Sequence, residues 1–348
     1  MIPANPTVER APDVLRVEDL KVYYETSKGH AKAVDGVSFS LRPGERLGLI
    51  GESGSGKTTI AMALMRLTHP PGRIVGGRVL LDGRDLLAMR ERELRRARLK
   101  EIALVPQGAM NSLNPVMRIS DQIIDGVMAH EPDRHPRMDL ERRVARLLER
   151  VGLESSVAGR YPHELSGGMK QRAVLAIATS LDPKVIIADE PTSALDVVVQ
   201  RQVMLTLGRV QEGLGAAVVL VGHDMGLMAQ FADLVGVMYA GKLVEVGPVE
   251  QLLTEPRHPY TRLLIDSLPA LDEKRELRGI PGLPPTLVDM PAGCAFNPRC
   301  PYQHLRCRTE TPELWEVDPH RQVACHLYPE HSALPAIPDK QIREGAIP

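Results

Sequence analysis

The chain alternates short apolar runs with longer stretches of mixed periodicity. "RLGLIG" (46–51), "IALVPQ" (102–107), "KVIIADE" (184–190) and "AAVVLVGHD" (216–224) are apolar over most of their length. Runs of this kind, rich in Val, Ile and Leu and lacking alternation, are what strands buried on both faces require. Helical patterns stand close by. "KTTIAMALMRL" (57–67) follows the first run, and a mostly helical region covers roughly 116–180. "LRVEDLKVYYE" and "AVDGVSFSLRPGE" read as strands with a Gly/Pro turn, "GGRVLLDGRDL" as a hairpin, and "ERELRRARLK" (91–100) as a charged helix. Strands alternating with helices predict an α/β core built on a parallel sheet. After about residue 245 the periodicity fades and Pro becomes frequent, as in "GLPPTLVDMPAG". A small, loop-rich second unit is expected over about 246–330, with a disordered N-terminus at 1–13 and a frayed tail at 331–348.

Composition narrows the classes. Of 348 residues, 43% are hydrophobic and 25% charged, and the net charge is -1, so no global pull toward nucleic acid or lipid is implied. Aromatics at 3% argue against base-stacking surfaces. The apolar runs fall well short of the roughly 20 residues that cross a bilayer. "MIPANPTVERAPD" carries no apolar stretch of the signal-peptide kind. The expectation is a cytoplasmic protein that meets a membrane through a docked partner. The basic helix at 91–100 reads as a solvated face, with nucleic-acid contact as the alternative.

Candidate chemistry begins at "GESGSGKT", Gly51–Thr58, between an expected strand and an expected helix. This spacing is that of a phosphate-cradling loop. Its glycines permit a tight turn that aims backbone N–H groups inward, and the helix start adds a positive dipole end. Gly51, Ser53, Gly54, Ser55, Gly56, Lys57, Thr58 and Thr59 are the expected nucleotide contacts. Lys57 is to reach the β/γ phosphates and Thr58 to ligate Mg²⁺. Asp189 ends an apolar strand, where a carboxylate can hold Mg²⁺, and Glu190 next to it is placed to act as general base on a water.

"LSGGMKQR", Leu165–Arg172, resembles the signature motif of ABC ATPases, with Met169 where many members carry Gln. The family's other marks stand around it in order. Gln107 in "VPQ" resembles the Q-loop glutamine, "SALD" (193–196) the D-loop, and His223 in "VGHD" the switch histidine. Tyr24 resembles the aromatic that stacks on adenine, with Tyr23 as the alternative. The resemblance implies a P-loop NTPase core over 14–245, with a helical subdomain at about 110–180 and an antiparallel β subdomain. It implies that Ser166, Gly167 and Gly168 close the ATP site of a second subunit in a head-to-tail dimer. Glu190 and His223 are then catalytic, and Gln107 links Mg²⁺ and the attacking water to the surface where membrane partners dock.

"NSLNPVMRISDQI" (111–123), "EPRHPYTRLLI" (255–265), "GIPGLPP" and "GCAFNPRCP" extend the resemblance to ATPase subunits of dipeptide/oligopeptide importers, a group that also handles nickel. That implies a second ATPase, by family resemblance a paralogue, two transmembrane permeases and an extracytoplasmic peptide-binding protein, at the cytoplasmic face of the membrane, with no nucleic acid. A soluble ABC ATPase acting on ribosomes or nucleic acid is the competing class, and one phosphate loop with no heptad run counts against it. His258–Pro259–Tyr260 reads as a helix-starting turn with a packed Tyr. All four cysteines, Cys294, Cys300, Cys307 and Cys325, fall in the C-terminal unit with spacing C-x5-C-x6-C-x17-C. Those gaps are longer than the paired C-x2-C habit of zinc sites. Four thiolates can enclose a [4Fe–4S] cluster, which some members of the importer group carry, and zinc or no metal at all are the alternatives. A structural role, clipping a unit with little core, is expected.

Overall fold

The computed structural model describes residues 12–108, 111–131, 137–267 and 279–328. The expected tail at 331–348, and all but the last two residues of the expected N-terminal segment, lie outside these residues. The strands are β1 (Leu15–Thr26), β2 (Gly29–Leu41), β3 (Arg46–Ile50), β4 (Gly72–Leu81), β5 (Arg84–Asp85), β6 (Ile102–Val105), β7 (Val185–Asp189), β8 (Ala217–Val221), β9 (Leu234–Tyr239), β10 (Lys242–Pro248), β11 (Trp315–Asp318) and β12 (Arg321–Val323). The helices are α1 (Lys57–Leu64), α2 (Glu91–Ala97), α3 (Ile119–His130), α4 (Arg137–Arg150), α5 (Gly167–Ala178), α6 (Val197–Leu214), α7 (Met225–Phe231), α8 (Val249–Thr254), α9 (Pro259–Asp266) and α10 (Leu305–Thr309).

Two sheets organise them. An antiparallel sheet runs β2-β1-β4-β5, and an eight-stranded sheet runs β11-β12-β10-β9-β3-β8-β7-β6. In the larger sheet β9, β3, β8, β7 and β6 are parallel neighbours. The apolar strands sort their side chains by period two onto opposite faces. Ile186, Ala188, Val218 and Leu220 join a core on the helical side, with α3, α4 and α5. Val185, Ile187, Ala217 and Val219 join a second core, with α1 and the antiparallel sheet. No strand residue of β7 or β8 reaches water, which is why these segments carry no alternation in sequence.

The charged helix α2 exposes Glu91, Arg92, Glu93, Arg95 and Arg96, as expected of a solvated face, and packs through its other side. Leu94 and Ala97 are buried, and Arg98 donates to the carbonyls of Met65 and Arg66. Among the described residues no helix is long and apolar enough to cross a membrane.

The expected domain boundary near residue 245 falls inside β10. Glu245 pairs with Val323 and Val246 with Gln322, so the C-terminal hairpin β11–β12 extends the main sheet. Phe296 and Tyr260 belong to the same core as the parallel strands. Glu245 sits at the joint. It is fully buried, and its carboxylate accepts from Arg321 Nη2 at 2.8 Å, from the Arg257 N–H at 2.9 Å and from the His258 N–H at 2.8 Å. A buried charge is tolerable only when paired and hydrogen-bonded in this way.

Candidate active site

The site gathers at the carboxyl ends of the parallel strands, where open α/β sheets bind ligands. β3 delivers the loop Gly51–Gly56 and then α1. β6 is followed by Gln107, β7 ends in Asp189 with Glu190 next, and β8 is followed by His223. A cavity of about 570 Å³ opens there, lined by Tyr24, Ser53, Gly54, Gly56, Lys57, Thr58, Thr59, Gln107, Glu190 and His223, among others.

The loop's shape depends on glycine at two positions. Gly51 has φ 147° and a Cβ there would lie 2.1 Å from the Met238 carbonyl oxygen. Gly56 has φ 105° and its Cβ would lie 2.0 Å from the Ala33 carbonyl oxygen. Neither distance is survivable for a side chain without moving backbone. Lys57 folds back over the loop. Its Nζ donates to the carbonyls of Gly51 at 2.7 Å and Glu52 at 2.9 Å, with Ser55 Oγ at 3.4 Å. Burial holds its pKa below the usual lysine range, against the pull of Glu190, Asp189 and Glu52.

Thr58 Oγ1 donates to Asp189 Oδ1 at 3.2 Å. Burial pushes the Asp189 carboxyl up to about 6; the Thr58 hydrogen bond opposes the rise and the neighbouring Glu190 adds to it. A hydroxyl and a buried carboxylate converging at the end of a strand are hard oxygen donors of the kind Mg²⁺ takes. Glu190 has φ 43°, a backbone conformation few side chains adopt, fixed by its N–H bond to Val221 O at 2.9 Å. The result aims its carboxylate between two partners. Oε2 accepts from Gln107 Nε2 at 2.9 Å, and Oε1 lies 3.4 Å from His223 Nδ1.

Of the two tyrosines, Tyr24 lines the cavity, whereas Tyr23 turns away and donates its hydroxyl to Asp35 Oδ1 at 2.6 Å. Register shifts in β1 just ahead of these residues, in its pairing with β2 and with β4, break a simple alternation. Sequence reasoning missed Leu287, which lines the cavity from the C-terminal unit while its carbonyl accepts from the Lys32 N–H of β2. Nothing local marks Leu287, since it enters through a loop more than 200 residues from the phosphate loop.

Ser166, Gly167 and Gly168 are not among the cavity's lining residues. Ser166 caps α5, its hydroxyl accepting from the Met169 N–H at 3.4 Å, and Asp196 caps α6, accepting from the Val199 N–H at 3.0 Å. The cap takes the Met169 N–H, while the N–H groups of Gly167 and Gly168 at the start of α5 have no intrahelical acceptor.

The cysteines are four free thiols in one unit. The Cys294 N–H donates to the Cys307 carbonyl at 2.9 Å. Burial pushes the Cys300 thiol up to about 12 and those of Cys294 and Cys325 upward, and nearby thiols of the set add to each rise. Among the described residues no group of three or more His, Cys, Asp or Glu is arranged to hold a metal ion. Among these residues neither the expected [4Fe–4S] cluster nor the zinc alternative finds a preformed ligand set. His258 and Tyr260 form the expected helix start: His258 Nδ1 accepts from the Tyr260 N–H at 3.0 Å, and both residues are buried.

Comparison with known proteins follows the same lines. The family "ABC transporter" matches residues 34–193, and "Oligopeptide/dipeptide transporter, C-terminal region" matches 244–307. The chain is 44% identical to the dipeptide transport ATP-binding protein DppD of Caldanaerobacter subterraneus subsp. tengcongensis, over 91% of this chain and 98% of that one. It is 40% identical to DppD of Escherichia coli, over 91% and 97%, and 39% identical to the oligopeptide transport ATP-binding protein OppD of Bacillus subtilis, over 92% and 91%. Among solved structures, a dimeric post-hydrolysis state of the ATP-binding cassette MJ0796 bound to ADP and Pi aligns with a TM-score of 0.60 at 25% identity, covering 68% of this chain and 98% of that one. The chain therefore belongs to the family of ABC transporter ATP-binding proteins, in its dipeptide and oligopeptide transport branch.

Proposed function

We propose that this chain hydrolyses ATP to drive the import of dipeptides or oligopeptides, as a peripheral subunit on the cytoplasmic face of the membrane. The observation that carries the reading is the Glu190 carboxylate, held between Gln107 and His223 beside a cavity bordered by Lys57 and Thr58. The loop amides and Lys57 take the nucleotide's phosphates, Tyr24 stacks on its base, and Thr58, Asp189 and Gln107 hold Mg²⁺. Mg²⁺ held there would supply positive charge against the negative charge developing on the phosphates. Glu190 takes a proton from water as the water oxygen bonds to the γ-phosphorus and the bond to the bridging oxygen breaks, releasing ADP and phosphate. His223 and Gln107 orient Glu190 and the water.

The signature residues Ser166, Gly167 and Gly168 serve the cavity of a second ATPase subunit. Support comes from their position outside this chain's own cavity, at a helix start whose N–H groups suit a phosphate. Two transmembrane permeases and an extracytoplasmic peptide-binding protein complete the assembly. The finer reading of the cysteines is a structural [4Fe–4S] cluster, supported by four thiols gathered in one unit. Iron analysis and visible absorbance, lost in Cys→Ser variants, test it, and zinc without iron overturns it.

The central test is Glu190→Gln. ATP binding should persist while turnover falls at least 100-fold, the scale of a lost general base. Near-normal hydrolysis by this variant would refute the role of Glu190.

A further inference from the structure

Glu52, second in the phosphate loop, does not line the cavity. It is tied on three sides. Its carboxylate receives both terminal nitrogens of Arg299, at 2.7 and 2.9 Å. Its N–H donates to the Tyr260 hydroxyl at 2.8 Å, and its carbonyl accepts from Lys57 Nζ at 2.9 Å. Two of these ties come from the C-terminal unit and the third is the lysine assigned to the phosphates.

The Arg299 side chain is only 4% exposed. Its Nε donates to the Pro281 carbonyl at 2.8 Å, and its guanidinium lies 5.8 and 5.9 Å from the ring centres of Tyr239 and Phe296. It stands on a single turn of 3₁₀ helix, Asn297–Arg299, between Cys294 and Cys300. Tyr260 is fully buried, its ring packed on Tyr239 and Phe296 at 4.6 and 5.4 Å between centres. A planar, bidentate pair whose guanidinium is buried fixes both distance and direction, as an exposed lysine pair would not. Leu287 of the same unit also lines the cavity, as does Tyr24.

We infer that the C-terminal unit is a positioning element for the nucleotide: Arg299 and Tyr260 hold the phosphate loop, through Glu52, in the shape that Lys57 and the loop amides need to bind phosphate. The inference rests on the reading that this cavity takes ATP. It also gives the cysteine-bearing turn a direct mechanical line to the active site, since Arg299 is the residue before Cys300. Preorganisation of this kind shows as affinity, because a loop already ordered loses less freedom on binding.

The test uses the full chain with Mg²⁺ and a fluorescent ATP analogue, and measures Kd for Arg299→Gln, Tyr260→Phe, Glu52→Gln and the double variant Glu52→Gln/Arg299→Gln, each with its Tm. Tyr260→Phe keeps the packed ring and removes only the hydroxyl, so it carries the test if Arg299→Gln folds poorly. The expected result is a Kd raised about tenfold in Arg299→Gln and in Glu52→Gln, the size of a lost charge-assisted pair, and severalfold in Tyr260→Phe. The double variant should bind no worse than the weaker single, since both remove one interaction. Kd values within twofold of the parent for both Arg299→Gln and Tyr260→Phe, with only Tm lowered, overturn the inference and leave the contacts a purely stabilising role. A parent chain that fails to bind the analogue overturns the reading of the cavity itself.

Discussion

Arg321 and Glu245 form a buried ion pair, with Nη2 2.8 Å from Oε1 and side chains 2% and 0% exposed, that fastens the C-terminal hairpin to the edge of the main sheet. Arg321 also donates to the Glu255 carbonyl. Removing one member of a buried pair leaves the other charged and uncompensated. Arg321→Met is therefore expected to cost about 3 kcal/mol, read as a fall in the denaturation midpoint. A midpoint unchanged within error would mean that the hairpin is not held by this pair.

The two inner glycines of the phosphate loop make opposite predictions. A Cβ at Gly56 meets the Ala33 carbonyl oxygen at 2.0 Å, whereas one at Gly54, at φ 77°, meets nothing within 4 Å. Gly54→Ala should cost only backbone strain, about 1 kcal/mol, in the nucleotide-free protein. Gly56→Ala must displace a strand of the antiparallel sheet and should cost at least about 3 kcal/mol. Equal losses of Tm in the two variants would contradict this packing.

His258 predicts a pH dependence. Burial drives its imidazole down to about 3, so it stays neutral in the folded chain. The unfolded chain takes up a proton near pH 6.5. Stability present above pH 6.5 is thus lost progressively as pH falls toward 3, by up to about 1.4 kcal/mol per pH unit. His258→Asn keeps an acceptor for the Tyr260 N–H and removes the titration, so the fall between pH 6 and pH 4 should be shallower. Urea midpoints measured across that range decide it, and parallel curves for parent and variant would rule His258 out.

Much of the candidate site was legible in the chain because it is made of local geometry. A phosphate loop needs a strand, a tight glycine turn and a helix start in immediate succession, and Gly51–Thr58 supplies them within one stretch. Asp189 and Glu190 follow a strand apolar enough to be recognised by its composition alone. The choice between Tyr23 and Tyr24 was not legible, because alternation puts neighbours on opposite faces without saying which face meets the cavity, and register shifts in β1 disturb even that.

What the sequence determined by itself is the set of parts: buried strands, a phosphate loop, a carboxylate pair at a strand end and a cysteine-bearing C-terminal segment. Only the tertiary structure decided how they meet. It put Gln107 and His223 on one carboxylate, ran β10 across the expected boundary into a hairpin built from residues 315–323, and brought Arg299 onto Glu52 across 247 positions. Periodicity and motif spacing record constraints between near neighbours. A contact between segments far apart is set by how whole sheets and loops pack, and leaves at its ends only an ordinary glutamate and an ordinary arginine.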